Sequence, residues 1–233
     1  MCSTSRYSLM TGRFGHRPYL KRQGWLPHGP NLPMIQSELV TLPEMLKANG
    51  YETACVGKYH VGMAFDNGDG EPARDYYHRD VDFTRPLLDG PTHQGFDEFL
   101  GVPGNIEDAL DTEPRILIRD DRWEMTDRSK MVMGGWKKHV GKVFTDPSWD
   151  LTHIGETYLD EVEAILKRKS AGKAPFFLYY VPNSNHQNLG EEGRYYIPES
   201  LRGKPVKGAA KLTNGEPACL LYTSDAADDQ ACG

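Results

Sequence analysis

The sequence predicts an α/β fold in which helices pack on a mostly parallel sheet. A capped helix signal, a glycine and a short apolar strand follow one another between Thr41 and Val56. A helix, a glycine and an apolar strand follow one another again between Gly155 and Val181. Beyond the carboxyl end of each strand stand groups that can hold or protonate an anion, Lys58 and His60 after the first and His186 after the second. Open α/β sheets gather their ligands at that end.

The elements follow in order. The stretch from Cys2 to Arg13 reads as a short helix, with Ser3 or Thr4 as its N-cap and Gly12 as its C-cap. Phe14 to Pro33, rich in Gly, Pro and aromatics, reads as an ordered loop. Thr41-Leu42-Pro43-Glu44 has the form of a capping box with proline in the first turn. That helix runs to about Asn49, and Gly50 stops it. Tyr51 to Val56 is the first strand. Asp66 to Gly70 lacks the alternating oxygen ligands and distal glutamate of a calcium loop and reads as a turn. Residues 71–95 read as loop, and Pro114 to Arg119 as a strand. Residues 120–150 carry no assignment, and His139 and His153 read as surface residues. Gly155 to Lys169 is a helix with an apolar stripe of Leu159, Val162, Ile165 and Leu166. Its basic end, Lys167 to Lys169, suits the helix dipole. Pro175 to Val181 reads as a buried central strand because it is almost continuously apolar.

A chain of 233 residues can bury one substantial core. The net charge of −6 argues against nucleic acid as a partner. Charge is uneven, since Arg6, Arg13, Arg17, Lys21 and Arg22 all precede the first acidic residue, Glu38. Arg6 is read as part of an anion site and the others as a solvated basic face. No apolar run is long enough to span a membrane, and the four cysteines suggest no disulfide framework.

Three constellations carry chemistry. Cys2 stands at a helix start, where unpaired N–H groups favour an anion, and Arg6 follows one turn later. Lys58 and His60 lie two residues apart on a segment read as extended, which would aim both the same way. One cation and one proton carrier suit an oxyanion and its leaving group. His186 follows the second strand in the run Asn183-Ser184-Asn185-His186. Taken singly, the bland readings are a semi-buried cysteine, a solvated lysine and structural histidines.

Together these residues resemble the type I sulfatases. The run C-x-x-S-R-x-x-x-x-T-G-R from Cys2 to Arg13 is similar to the first signature of that family. Gly57-Lys58-Tyr59-His60-Val61-Gly62 is similar to the second, G-K-W-H-L-G, with Tyr59 in place of Trp and Val61 in place of Leu. Gly95 to Gly101 resembles a structural landmark of the family, and Pro175 to His186 resembles its strand and substrate-facing histidine. Two further positions depart: Thr4 stands where the family has Pro or Ala, and Asn188 where it has Pro.

The resemblance implies an alkaline-phosphatase-like three-layer α/β/α sandwich, incomplete here, and hydrolysis of a sulfate ester. It implies that Cys2 is converted to formylglycine, the nucleophile, by a formylglycine-generating or sulfatase-maturating enzyme. Arg6 would steady that group, Lys58 would bind sulfate oxygens, His60 would act as the base, and His186 would bind substrate and protonate the leaving alcohol. A calcium ion would sit beside the nucleophile, with modified Cys2 its one expected ligand on this chain. The substrate would be a sulfated small molecule or carbohydrate, and the location periplasmic or secreted. Two alternatives stay open, a phospho- or phosphonate-ester hydrolase of the same superfamily and a binding protein with unmodified Cys2. The run from Cys219 to Asp229 resembles translated sequencing adapter, so residues 219–233 are expected to lie outside the fold and residues 1–218 to form a partial catalytic domain, cut at both ends and inactive alone.

Overall fold

The computed structural model describes residues 2–15, 32–104, 113–134, 143–150 and 153–182. Helix α1 covers Cys2–Thr11, so Ser3 and Thr4 lie inside it rather than capping it, and it ends where Gly12, at φ +64°, donates its N–H to the Ser8 carbonyl. Helix α2 covers Leu42–Ala48. Its capping box forms as the sequence predicts, with Glu44 N–H donating to Thr41 Oγ1 at 3.3 Å and Thr41 N–H donating to Glu44 Oε2 at 2.7 Å. Strand β1, Glu52–Lys58, follows directly and runs two residues further than expected.

Five strands form the main sheet. They are β1, β2 (Glu98–Val102), β3 (Ile118–Arg119), β4 (Arg122–Trp123) and β7 (Phe176–Val181), in the order β4-β3-β2-β1-β7. The three longest, β2, β1 and β7, are parallel, and β3 and β4 add antiparallel edges. Strands β5 (Val132–Gly134) and β6 (Val143–Thr145) pair separately as an antiparallel ribbon. Helix α3, Ile154–Ser170, covers one face of the main sheet over Ala54, Val56 and Val102. The other face is covered by α1 and by the long connection from Tyr59 to Phe96, with Cys55, Phe99 and Ile118 beneath them. The result is the α/β/α layering the sequence predicts.

Some expectations are corrected. The buried stripe of α3 is Ile154, Tyr158, Val162 and Ile165, whereas Leu159 and Leu166 are exposed at 47% and 41%. The true stripe steps by four, four and three residues, and a tyrosine completes it where the sequence reading chose leucines. Of the strand expected at 114–119 only Ile118 and Arg119 join the main sheet, while Arg115 bridges Thr145. Strand β7 is an edge strand among the described residues, paired with β1 alone, and its side chains are mostly half-buried. The loop expected at 71–95 is irregular except for a 3-10 turn at Pro91–Gln94, yet it supplies Val81, Phe83 and Leu87 to the core. The turn at Asp66–Gly70 forms as read, with Asp66 Oδ1 accepting from the Gly68 and Gly70 N–H groups. His153 is exposed as expected. His139, most of the 14–33 loop and the tail at 219–233 lie outside the described residues.

The corrected stripe can be tested by chemical denaturation. Ile165 is 2% exposed, so Ile165→Ala should cost ~2–5 kcal/mol of unfolding free energy. Leu166→Ala, one position on, should change it by less than ~0.5 kcal/mol.

Candidate functional site

The site forms where α1 meets the carboxyl end of β1. Tyr7 and Met10 anchor α1 in the core, both 1% exposed, and Ser3 is equally buried. This leaves Arg6 on the helix face that turns to the sheet. Its Nη1 donates to the Lys58 carbonyl at 3.1 Å and reaches the Tyr179 hydroxyl at 3.4 Å. Its Nε is buried with no protein hydrogen-bond partner among the described residues. One guanidinium therefore ties the opening helix to the last residue of β1 and to β7. Cys2 lies one turn before Arg6 on the same helix, but its side chain falls outside the described residues. Thr4 lies in the first turn, and its Cγ2 takes the space that a side chain on Gly15 would need.

Lys58 is 2% exposed, an uncommon burial for a lysine. Gly57 explains how it gets there. A Cβ on Gly57 would stand 1.9 Å from the Val181 carbonyl oxygen, so only glycine lets β1 and β7 approach. Its φ of +110° also breaks the two-residue alternation just before Lys58. The extended Lys-x-His geometry read from the sequence does not hold, because His60 takes a left-handed conformation at φ +53°. Tyr59 and His60 still follow β2, donating their N–H groups to the carbonyls of Val102 and Pro103 at 3.0 and 2.9 Å. The structure thus brings together Arg6, Lys58 and the backbone of His60. His186 lies outside the described residues, five positions beyond the end of β7.

Tyr179 belongs to this site and the sequence reading passed over it. It pairs with Cys55 across the β1–β7 ladder, and its ring stacks on Phe96 at 6.3 Å. Phe96 belongs to the landmark Gly95 to Gly101, so that landmark supports the site from below. A polar-tipped aromatic near the end of an otherwise apolar strand was the available signal. Beneath Tyr59, a buried network runs from its hydroxyl to Gln94 Oε1, and from Gln94 Nε2 to Asp89 Oδ1 at 3.0 Å. Burial raises the Asp89 carboxyl above its ordinary range. The Cys55 thiol is pushed far up by burial, against the opposing pull of Arg6, and stays neutral.

Further inside, His78 and Glu113 face each other at 3.5 Å with side chains 1% and 5% exposed. Burial lowers His78 from 6.5 to about 4 despite the raising effects of Asp80 and Asp75. Among the described residues no three His, Cys, Asp or Glu side chains stand together as a metal centre. No helix among the described residues is long and apolar enough to cross a membrane.

The sulfatase family model matches residues 1–226. The chain belongs to the sulfatase family. Its relatives include the dog N-acetylgalactosamine-6-sulfatase, 27% identical over 97% of this chain and 38% of that protein. Rat arylsulfatase G is 26% identical over 86% of this chain and 35% of its own length. The chain thus spans little more than a third of the curated relatives it matches. Among solved structures, one from a study of glycosaminoglycan metabolism by Bacteroides thetaiotaomicron superposes with a TM-score of 0.57 at 19% identity. It covers 78% of this chain and 42% of its own, and bears out the fold.

His78 has a measurable consequence. Its folded pKa lies below its unfolded one, so the unfolded chain takes up the proton first. The stability held by neutral His78 should be whole above pH 6.5 and be lost as pH falls towards about 4. His78→Gln cannot take the proton, so its unfolding free energy should fall less steeply across that window, by up to one bound proton.

Proposed function

We propose that the parent protein hydrolyses a sulfate ester, with this chain supplying the nucleophile side of its site. The observation that carries the reading is the 3.1 Å bond from Arg6 to the Lys58 carbonyl. It joins two signature segments that are 52 residues apart in sequence. Formylglycine made from Cys2 would supply the attacking oxygen. Arg6 keeps a fixed cation one helical turn from that position. Lys58 gives a second cation, buried in low dielectric where it acts on a sulfate oxygen more strongly than in water. His60 moves the proton that accompanies sulfate release, and His186 binds the substrate and protonates the leaving alcohol. The demand is that of phosphoryl transfer, in which charge spreads over peripheral oxygens and preset cations meet it.

The substrate class is a sulfated small molecule or carbohydrate, and the named N-acetylgalactosamine-6-sulfatases favour the carbohydrate. The maturing partner is an enzyme that converts Cys2, and the compartment is periplasmic or extracellular. Calcium, in this reading, is held by modified Cys2 together with ligands supplied by other parts of the parent protein. The 233-residue chain alone is accordingly expected to be inactive.

Paired assays test this. The parent protein should cleave an aryl sulfate faster than the phosphate ester of the same phenol, and the reverse preference would overturn the reading. Arg6→Ala should lower its kcat by ~100-fold or more, as removal of one preorganised donor does. Peptide mass spectrometry should find Cys2 as the aldehyde, and cysteine alone at that position would favour a binding protein. Robust aryl sulfate turnover by the 233-residue chain would refute its expected inactivity.

A further inference from the structure

We propose that Gln94 is a positioning residue for the segment that carries Lys58 and His60, its side-chain amide joining Asp89 to the Tyr59 hydroxyl in a hydrogen-bond chain of fixed direction. Tyr59 lies between Lys58 and His60 and is 1% exposed, and Gln94 is 6% exposed. The Tyr59 hydroxyl donates to Gln94 Oε1. Gln94 Nε2 donates to Asp89 Oδ1 at 3.0 Å, and the Gln94 carbonyl accepts from Thr41 Oγ1 at 2.7 Å. Both ends of the amide are used, and the backbone behind it is tied to the cap of α2. On the other side, the Tyr59 and His60 N–H groups donate to the Val102 and Pro103 carbonyls. The segment is therefore held by its backbone at the end of β2 and by the tip of Tyr59 at Gln94.

Charge sets the direction of the chain. An ionised carboxylate only accepts, so Gln94 Nε2 must face Asp89 and Oε1 must face Tyr59. The hydroxyl must then donate. It keeps its proton because burial, and then Cys55, Asp89, Tyr179 and Glu44 around it, hold the phenol well above its ordinary range. A protonated Asp89 removes the charge that fixes this order. Its O–H competes for Oε1, and an amide turned to meet it points Nε2, a second donor, at the Tyr59 hydroxyl. A buried polar chain is strong when every member is satisfied and costly when one is reversed. Burial raises the Asp89 carboxyl, whereas the Gln94 bond, the exposed His93 and the Gly90 N–H pull it down. The Gln94 bond thus favours the ionised form.

The backbone delivers Gln94 to this place. It ends the 3-10 turn at Pro91–Gln94, and the next residue, Gly95, is left-handed at φ +99°. A Cβ on Gly95 would stand 2.4 Å from the Glu44 backbone nitrogen, so only glycine lets the turn close on α2. The side chain chosen at the end of that turn is chemically specific. A leucine would fill similar space and leave a buried hydroxyl and a half-buried carboxylate without their partner. A carboxylate would accept from Tyr59 and repel Asp89. An amide is the neutral group that accepts from the one and donates to the other.

The roles of Lys58 and His60 rest on the sulfatase reading, but the test does not use activity. Hydrogen exchange at the Tyr59 and His60 amides can be followed by NMR in the 233-residue chain. Rates are normalised to intrinsic exchange and to the Val56 amide within β1. As pH falls and Asp89 takes up its proton, both amides should lose protection relative to Val56. Asp89→Asn should abolish that response. Gln94→Glu keeps the shape, sets two carboxylates face to face and should reverse it. At pH 7 its two amides should exchange about tenfold faster than in the wild type, as expected for losing one hydrogen bond to a charged group. They should recover as pH falls, because one shared proton restores a donor to Asp89 and an acceptor to Tyr59. A packing role alone gives the same pH response in Gln94→Glu as in the wild type, and that result overturns the proposal. Should Gln94→Glu fail to fold, the wild type and Asp89→Asn decide. Protection that stays flat in the wild type, or falls equally in Asp89→Asn, would sink the idea. A parent enzyme that fails on sulfate esters would defeat the functional reading and leave these exchange rates standing.

Discussion

The guanidinium of Arg6 is the contact on which the rest of the site depends. Helix α1 has no acidic residue in its first turn and no basic residue in its last, so its dipole is uncompensated by its own charges. Its apolar anchors, Tyr7 and Met10, fix which side faces inward but not where its start lies relative to β1. Arg6 supplies that register by bonding the Lys58 carbonyl and touching Tyr179. A hydrogen bond from a charged donor contributes ~1.5–3 kcal/mol. Arginine has five donors in a planar fork, and its contacts to Lys58 and Tyr179 both come from Nη1. The buried Nε has no protein hydrogen-bond partner among the described residues, so the group that sets the register also keeps a donor in reserve.

That arrangement works because β1 lies between β2 and β7 and ends among glycines. Gly57 and Gly101 face each other in the parallel ladder, and a Cβ on Gly101 would meet the Gly57 carbonyl oxygen at 1.8 Å. The sheet is therefore drawn tight at its carboxyl end, where the ligand groups emerge. The stack of Tyr179 on Phe96 carries the same constraint to the 3-10 turn at Pro91–Gln94. Thr41 donates from Oγ1 to the Gln94 carbonyl, and so links the cap of α2 to that turn. Helix cap, landmark and signature segments thus form one continuous structure around the end of β1.

Much of this was legible because local rules and the global fold agree. Thr41 and Glu44 spelled a capping box and made one, and Gly12 stopped α1 where its φ required glycine. The signatures around Cys2 and Lys58 were readable as chemistry, and the structure joins them through Arg6. What could not be read was direction. The segment leaves the extended form at His60, whose backbone is left-handed, so the side-by-side aim of Lys58 and His60 was not available from spacing. The α3 stripe was misjudged because leucine outranks tyrosine in hydrophobicity, whereas burial followed position on the helix. Strand β7 read as central from its apolar run, yet among the described residues it has one neighbour. Composition alone does not state how many neighbours a strand will have.

Glu113 and His78 show a further reason why part of the interior was hidden. Neither belongs to a motif. They meet only because the 71–95 loop folds inward, which brings the two buried side chains to 3.5 Å. Left-handed backbone at a non-glycine residue costs of order 1–3 kcal/mol, and His78 adopts it at φ +58°. Burial then keeps its imidazole neutral until pH falls towards about 4. A contact between two segments without periodicity leaves no local signal, because it exists only once the loop has packed into the core.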